Sequence, residues 1–212
     1  MHVTFPDCFC FCCPSLYQCA PFSGDRNVSD YREGTANQTA LFTFIKSVSQ
    51  PNAETFVVTD DQNHCIRRVY RDGTTLPYLG KCGSRYGKAL PPGVRLPPHL
   101  MTFLYPITIL YDDVKNVYYV SSEGSSQIAA YDTNTKFGEL LVSGRDIIPQ
   151  VFNMIFSADK RHILANHAYG ISRVELSTKT TTLLTGSIGE WQNYSYNHII
   201  DGPMDSAAFN RM

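Results

Sequence analysis

The chain has 212 residues, 43% hydrophobic and 17% charged, with a formal net charge of −1. A folded domain of this length buries roughly 70% of its unfolded surface; ordinary apolar content with a charge fraction below the usual level of about 25% argues against disorder, and near-neutrality removes any global drive toward nucleic acid or acidic membranes. The longest apolar window, "HLMTFLYPITILY" from His99, is interrupted by Pro106 and is shorter than the ~18 residues of a membrane span, so no transmembrane segment is expected.

Residues 1–21 form a cysteine-rich stretch holding five of the seven cysteines, at positions 8, 10, 12, 13 and 19. It lacks the basic n-region and uninterrupted apolar h-region of a secretory signal. Its "CFCFCC" spacing is not the Cys-x2-Cys pair of common zinc sites, so it is read as an irregular segment without assigned function. Three acceptor sequons for glycosylation follow along the chain, at Asn27, Asn37 and Asn193.

From residue 22 onward, runs of β-branched and aromatic residues bounded by Gly, Asp, Asn or Ser carry the strand-and-turn signature. They come in groups of four. The first group is "LFTFIKSV" (41–48), "TFVVTD" (55–60), "HCIRRVY" (64–70) and "TLPYLGK" (75–81). The second is "YPITILYD" (105–112), "NVYYVSS" (116–122), "QIAAYD" (127–132) and "GELLVSG" (138–144). The third is "VFNMIFS" (151–157), "RHILANH", "ISRVEL" (171–176) and "TTTLLTG" (180–186). A tight polar turn joins the last two strands of each group, and in "RDGT" the glycine Gly73 accepts positive φ without steric cost.

Two loops echo one another. "EGTANQTALF", from Glu33, matches "DGPMDSAAFN", from Asp201, with one residue of slippage. Four-stranded units at a period near 40–60 residues predict an all-β fold, a partial β-propeller of about three antiparallel blades (34–83, 100–144 and 150–186). Residues 187–212 would begin a fourth repeat. The remaining blades would come from a longer chain or another copy.

The segments "DDQNHCIRRV" (60–69) and "LGKCG" (79–83), with the paired loops, resemble the NHL-repeat family. The first unit matches its motif at Asp60, Asn63, His64, Ile66 and Arg67; the second keeps Ile128, and the third Ile171 and Arg173. The resemblance implies a propeller, usually of six blades, and a binding surface more often than an enzyme. Read from the residues themselves, Asp60 and Asn63 shape a turn, Ile66 faces the next blade, and His64 locks a turn rather than holding a metal.

Cys65 and Cys82 flank the Asp-Gly hairpin. Pairing about that turn sets Cys65 opposite residue 80, so one bulge would bring Cys82 within bridging range; two free thiols or half a metal site are the alternatives. His162 and His167 lie five apart on one strand, hence on opposite faces, and cannot be a simple ligand pair. No catalytic or metal-binding set assembles from these motifs.

Between Arg67 and Arg95 seven basic residues (Arg67, Arg68, Arg71, Lys81, Arg85, Lys88 and Arg95) face one acid, Asp72, with tyrosines interleaved. That composition suits an anionic partner, while the competing reading is a solvated blade edge and surface loop. Together these features point to a non-catalytic module that binds a protein or glycan through interblade loops, in an extracellular or secretory compartment. An enzyme of amidating-lyase or calcium-dependent lactonase type is the alternative, and calcium or zinc enters as a cofactor only there. RNA binding through the basic region is the third reading.

Overall fold

The computed structural model describes residues 9–13, 18–25, 28–34, 40–83 and 90–186. The three sequon asparagines, Arg85, Lys88 and the second loop at 201–210 lie outside them.

Three four-stranded antiparallel sheets follow in chain order. The first is β3 (Ile45–Asn52), β4 (Thr55–Asp60), β5 (Cys65–Tyr70) and β6 (Thr75–Leu79). The second is β7 (Pro106–Asp112), β8 (Val117–Ser122), β9 (Gln127–Asp132) and β10 (Phe137–Ser143). The third is β11 (Asn153–Phe156), β12 (His162–His167), β13 (Gly170–Glu175) and β14 (Thr181–Gly186). A short ribbon of β1 (Phe9–Cys13) and β2 (Gln18–Ser23) precedes them, so the N-terminal segment expected to be irregular is in part an antiparallel hairpin.

The sheets form a fan. The first strand of each, β3, β7 and β11, packs beside its neighbours, placing these strands at a common inner edge. Period-2 alternation gives every sheet two apolar faces. Val57, Ile66 and Leu79 meet Ile109, Tyr118, Val120 and Ala129 between the first and second sheets. Tyr119, Ile128 and Val142 meet Met154, Ile163, Ala165 and Val174 between the second and third. Each such buried side chain contributes about 1.5–3 kcal/mol, so the sheets are held mainly by one another.

The stretch before each inner strand crosses its own sheet from the outer edge. Gly34 bridges Thr75 of β6, and Leu96 bridges Gly138 of β10 at the same register. The chain then dips inward, burying Ala40, Leu41 and Phe42 in one case and Met101 and Phe103 in the other. For this reason β3 begins at Ile45 and not at residue 41 as expected: Leu41 and Phe42 belong to the crossing, and Phe44 turns the chain with a left-handed φ of 60°.

Candidate functional site

The motif residues Asp60, Asn63 and Arg67 converge, at the edge between the first sheet and the crossing loop. Asp60 and Arg67 are both fully buried and form an ion pair at 3.2 Å. The Asp60 carboxylate also accepts the Thr43 N–H at 2.9 Å and the Asn63 amide at 3.0 Å. The guanidinium donates to the carbonyls of Leu41 and Arg32 and stacks 4.4 Å from the Phe42 ring centroid. Burial pushes the Asp60 carboxyl up to about 6, against the pull of the Thr43 N–H, the Arg67 charge and Asn63. Arg67 is therefore a corner of the interior, and the possible anionic-partner contact at this position is closed off by its burial.

The same ladder positions differ in the other sheets. Arg67 pairs with Val58 across β4–β5, Ala129 with Val120, and Ser172 with Ala165. Ser172, not Arg173, is thus the counterpart of Arg67, and Arg173 is exposed. At the Asp60 position stand Ser122 and His167. His167 is fully buried and bonds Ser172 at 3.0 Å, a neutral pair replacing the ionic one. In the second sheet buried Gln127 takes over the clamp, donating to the Thr102 carbonyl at 3.0 Å and accepting the Leu90 N–H at 2.9 Å. Sequence reasoning passed over Gln127; its signal was a lone amide opening an otherwise apolar strand.

Burial lowers the His167 imidazole to about 4, from 6.5 when unfolded. The unfolded chain therefore binds the extra proton between those values, and stability declines as pH falls from 6.5 toward 4, by up to about 1.4 kcal/mol per pH unit. Asp60, raised in the fold, contributes the opposite slope between 3.8 and about 6. The two are separated by comparison: His167→Asn is expected to remove the destabilising acid slope relative to wild type in urea midpoints measured from pH 7 to 4. Parallel curves would refute the assignment. His162, on the other face, bonds Glu175 at 2.7 Å, so the two histidines have separate partners.

The rest of the basic stretch is dispersed. Arg68 lies 3.9 Å over the Tyr78 ring, and Tyr78 in turn packs edge-on against Tyr118 and Tyr131, each at 5.7 Å. Arg71 and Lys81 are exposed at opposite ends of the five-residue β6, roughly 17 Å of strand apart. Arg95 is exposed, donates to Thr135 at 2.9 Å and lies over Phe137 on the second sheet. Among the described residues these cations do not form one patch.

Cys65 and Cys82 are joined by a disulfide with Cα atoms 5.0 Å apart. The β5–β6 register shifts between Ile66 and Arg67, which sets Cys65 beside Gly80; Cys82 returns to it from beyond the end of β6, where Gly80 and Gly83 take positive φ and the Gly83 N–H bonds the Asn63 carbonyl at 3.0 Å.

A second cluster lies at the inner end of the fan. Phe44, Tyr105 and Gln150 occupy matching places before the three inner strands, all with left-handed φ (60°, 54° and 38°). Such backbone costs about 1–3 kcal/mol per non-glycine residue, and the loops between second and third strands hold it. The Asp61 N–H bonds the Phe44 carbonyl at 3.0 Å, and the Glu123 N–H bonds the Tyr105 carbonyl at 2.9 Å. The sheets are also tied to one another there: the Tyr105 N–H donates to His64 Nδ1 at 3.3 Å, and the Gln150 N–H to Ser126 Oγ at 3.3 Å. His64 closes its own turn, its N–H bonding the Asp61 carbonyl at 3.1 Å, and in addition locks the joint between two sheets.

Phe44 and Tyr105 remain 45% and 36% exposed on this rim. Beside them stand Lys46, 5.4 Å from the Phe44 centroid, the half-buried Glu123, and Asp61, whose Oδ1 is buried without a hydrogen-bond partner. Burial pushes the Asp61 carboxyl up, Gln62 and Lys46 pull it back, and Glu123 adds to the rise. Aromatic faces flanked by carboxylates and an ammonium can stack on a ring or aliphatic side chain and bond hydroxyls or amines. Among the described residues no three His, Cys, Asp or Glu side chains come together in the manner of a metal centre.

No protein-family model matches the sequence, and no curated protein does. Solved structures do. A protein of unknown function from Bacteroides thetaiotaomicron superposes with a TM-score of 0.58 at 11% identity, over 78% of this chain and 37% of its own. An auxiliary nutrient binding protein from the same organism gives 0.55 at 13% identity, over 80% and 37%. A chain of the nidogen/laminin complex gives 0.50 at 9% identity, over 69% and 52%. These neighbours are β-propeller-like. The chain is a partial β-propeller. Each sheet is a blade, the inner strands line the propeller axis, and the rim of Phe44 and Tyr105 is one end of that axis. The chain spans between about a third and a half of the propellers it matches. No helix among the described residues is long and apolar enough to cross a membrane.

Proposed function

We propose that the chain is a segment of an NHL-type propeller that acts as a non-catalytic binding module in an extracellular or lumenal compartment, engaging a protein or glycan at the axial rim. The observation that carries this is the pair of exposed aromatics, Phe44 and Tyr105, held by left-handed backbone at matching places on adjacent blades and flanked by Asp61, Glu123 and Lys46. The disulfide supports an oxidising compartment. The NHL assignment rests on the first repeat, where Asp60, Asn63, His64 and Arg67 each hold a structural partner. The sequons at Asn27, Asn37 and Asn193 are proposed glycosylation sites.

The enzyme reading requires a calcium or zinc centre. Asp61 and Glu123 supply two carboxylates at the rim, and among the described residues no third His, Cys, Asp or Glu joins them. Arrays of immobilised extracellular proteins and glycans test the proposal. Wild-type protein is expected to bind a subset that Phe44→Ser/Tyr105→Ser loses by tenfold or more, while Arg71→Ser/Lys81→Ser/Arg95→Ser retains it. Retention by the rim variant overturns the site. Stoichiometric calcium or zinc uptake in calorimetry would favour the enzyme, and salt-sensitive RNA retardation lost in the basic variant would favour the nucleic-acid reading.

A further inference from the structure

The joint between the second and third blades holds a cleft of about 170 Å³, with Tyr119, Ala130 and Leu141 on its floor. The joint between the first and second blades is filled at the same place. Ile66 and Ile128 are each the second residue of their strands, so Arg68 of β5 and Ala130 of β9 stand at one position. Tyr78 and Leu141 also match, each lying in the register shift of its outer strand. In the first joint Arg68 stacks on Tyr78, whose ring packs on Tyr118 and Tyr131 of the facing blade. In the second, Ala130 and Leu141 pack with Ile163 and Val174. The guanidinium and the phenol ring are both gone, and the cleft lies where they would stand.

The mouth of the cleft is charged. Asp132 ends β9 where Tyr70 ends β5, and Glu139 pairs with Ala130 where Leu76 pairs with Arg68. Both carboxylates line the cleft. So do two cations, Arg95, which donates to Thr135 at 2.9 Å, and Lys179 of the third blade, 2.9 Å from Glu139. This place is separate from the axial rim. Asp132 is five residues along β9 from Gln127, roughly 17 Å of strand, and it is Ser126, next to Gln127, that meets the Gln150 N–H at the rim.

We propose that the cleft binds a free α-amino acid with a large apolar side chain, which takes the place that Tyr78 fills in the first joint. A cavity of about 150 Å³ accepts a benzene ring, so this one admits a phenyl or isobutyl group. The α-ammonium meets Asp132 and Glu139, and the α-carboxylate meets Arg95 and Lys179. A zwitterion answers all four charges, whereas a ligand carrying a single charge leaves one pair of like charges facing it. The ion pairs already at the mouth are exposed and contribute little, so the ligand displaces them readily. Burial of its side chain on the apolar floor drives binding.

Calorimetry of the whole protein with L-phenylalanine is expected to show saturable one-to-one binding. N-acetylphenylalanine and phenylalaninamide, each lacking one of the two charges, are expected to bind at least tenfold more weakly. Arg95→Ser/Lys179→Ser, at two exposed positions, should weaken phenylalanine tenfold and leave phenylalaninamide unchanged. Ala130→Arg, which restores the side chain of the first joint, should abolish binding. Absence of binding by both phenylalanine and leucine at millimolar concentration overturns the proposal. Equal affinity for phenylalanine and its two derivatives, or an Arg95→Ser/Lys179→Ser variant that holds phenylalanine as tightly as wild type, overturns it as well.

Discussion

Arg67→Met is expected to destabilise the protein by about 3–5 kcal/mol, because it leaves the Asp60 carboxylate buried without its cation. The same change removes the guanidinium donors from the Leu41 and Arg32 carbonyls, which keep only their mutual backbone bonds, so the crossing loop loosens together with the blade. Against a typical total of about 5–15 kcal/mol, that is a large fraction. Urea denaturation reads it as a lowered midpoint with an unchanged slope. Asp60→Leu/Arg67→Met should recover part of the loss, since replacing both members of a buried pair is far milder than removing one. Arg71→Met, at an exposed turn two residues before Gly73, should change stability by no more than about 0.5 kcal/mol. Equal effects at 67 and 71 would mean that Arg67 is a surface residue.

The second large effect concerns the Cys65–Cys82 bridge, which closes a loop with a sequence separation of 17. Constraining an unfolded loop of this size contributes on the order of 3 kcal/mol. Cys65 is fully buried, and its partner is followed by Gly83, whose N–H bonds the Asn63 carbonyl at 3.0 Å. The bridge therefore fixes the start of the connector as well as the hairpin. Dithiothreitol should lower the unfolding free energy of wild-type protein by about 3 kcal/mol, read as a lower urea midpoint, and leave Cys82→Ser almost unchanged. A wild-type midpoint indifferent to reductant would contradict the bridge.

Much of the fold was legible in the sequence because strands, turns and repeats are local patterns. "TFVVTD", "QIAAYD" and the Asp-Gly turn lie where they were expected, since β-branched runs and left-handed glycines act over a few residues. The start of β3 was misplaced because Leu41 and Phe42 look like strand residues, yet their burial beneath Arg67 decides their conformation. The hairpin at β1 and β2 gave no alternating pattern from which to read it.

The site was less legible. Seven basic residues in linear order resembled a patch, but alternation along β5 sends Arg67 to one face with Val69 and Arg68 to the other with Tyr70. The pattern was available in "CIRRVY"; what was missing was the knowledge that both faces are covered. The rim could not be read at all. Phe44 and Tyr105 reach matching places on adjacent blades only when the sheets fold, and their left-handed backbone has no glycine to announce it. His64 likewise looked like a turn residue alone, because its other partner, the Tyr105 N–H, is 41 positions away.

The central claim is that Asp60, Asn63 and Arg67 of the best-matching repeat segment build the blade. Arginine-specific footprinting with phenylglyoxal tests it most directly, read residue by residue by mass spectrometry on native protein. Arg71 and Arg95 should be modified readily, and Arg67 should stay protected until the protein unfolds. Modification of Arg67 at the rate of Arg71 under native conditions would contradict the account.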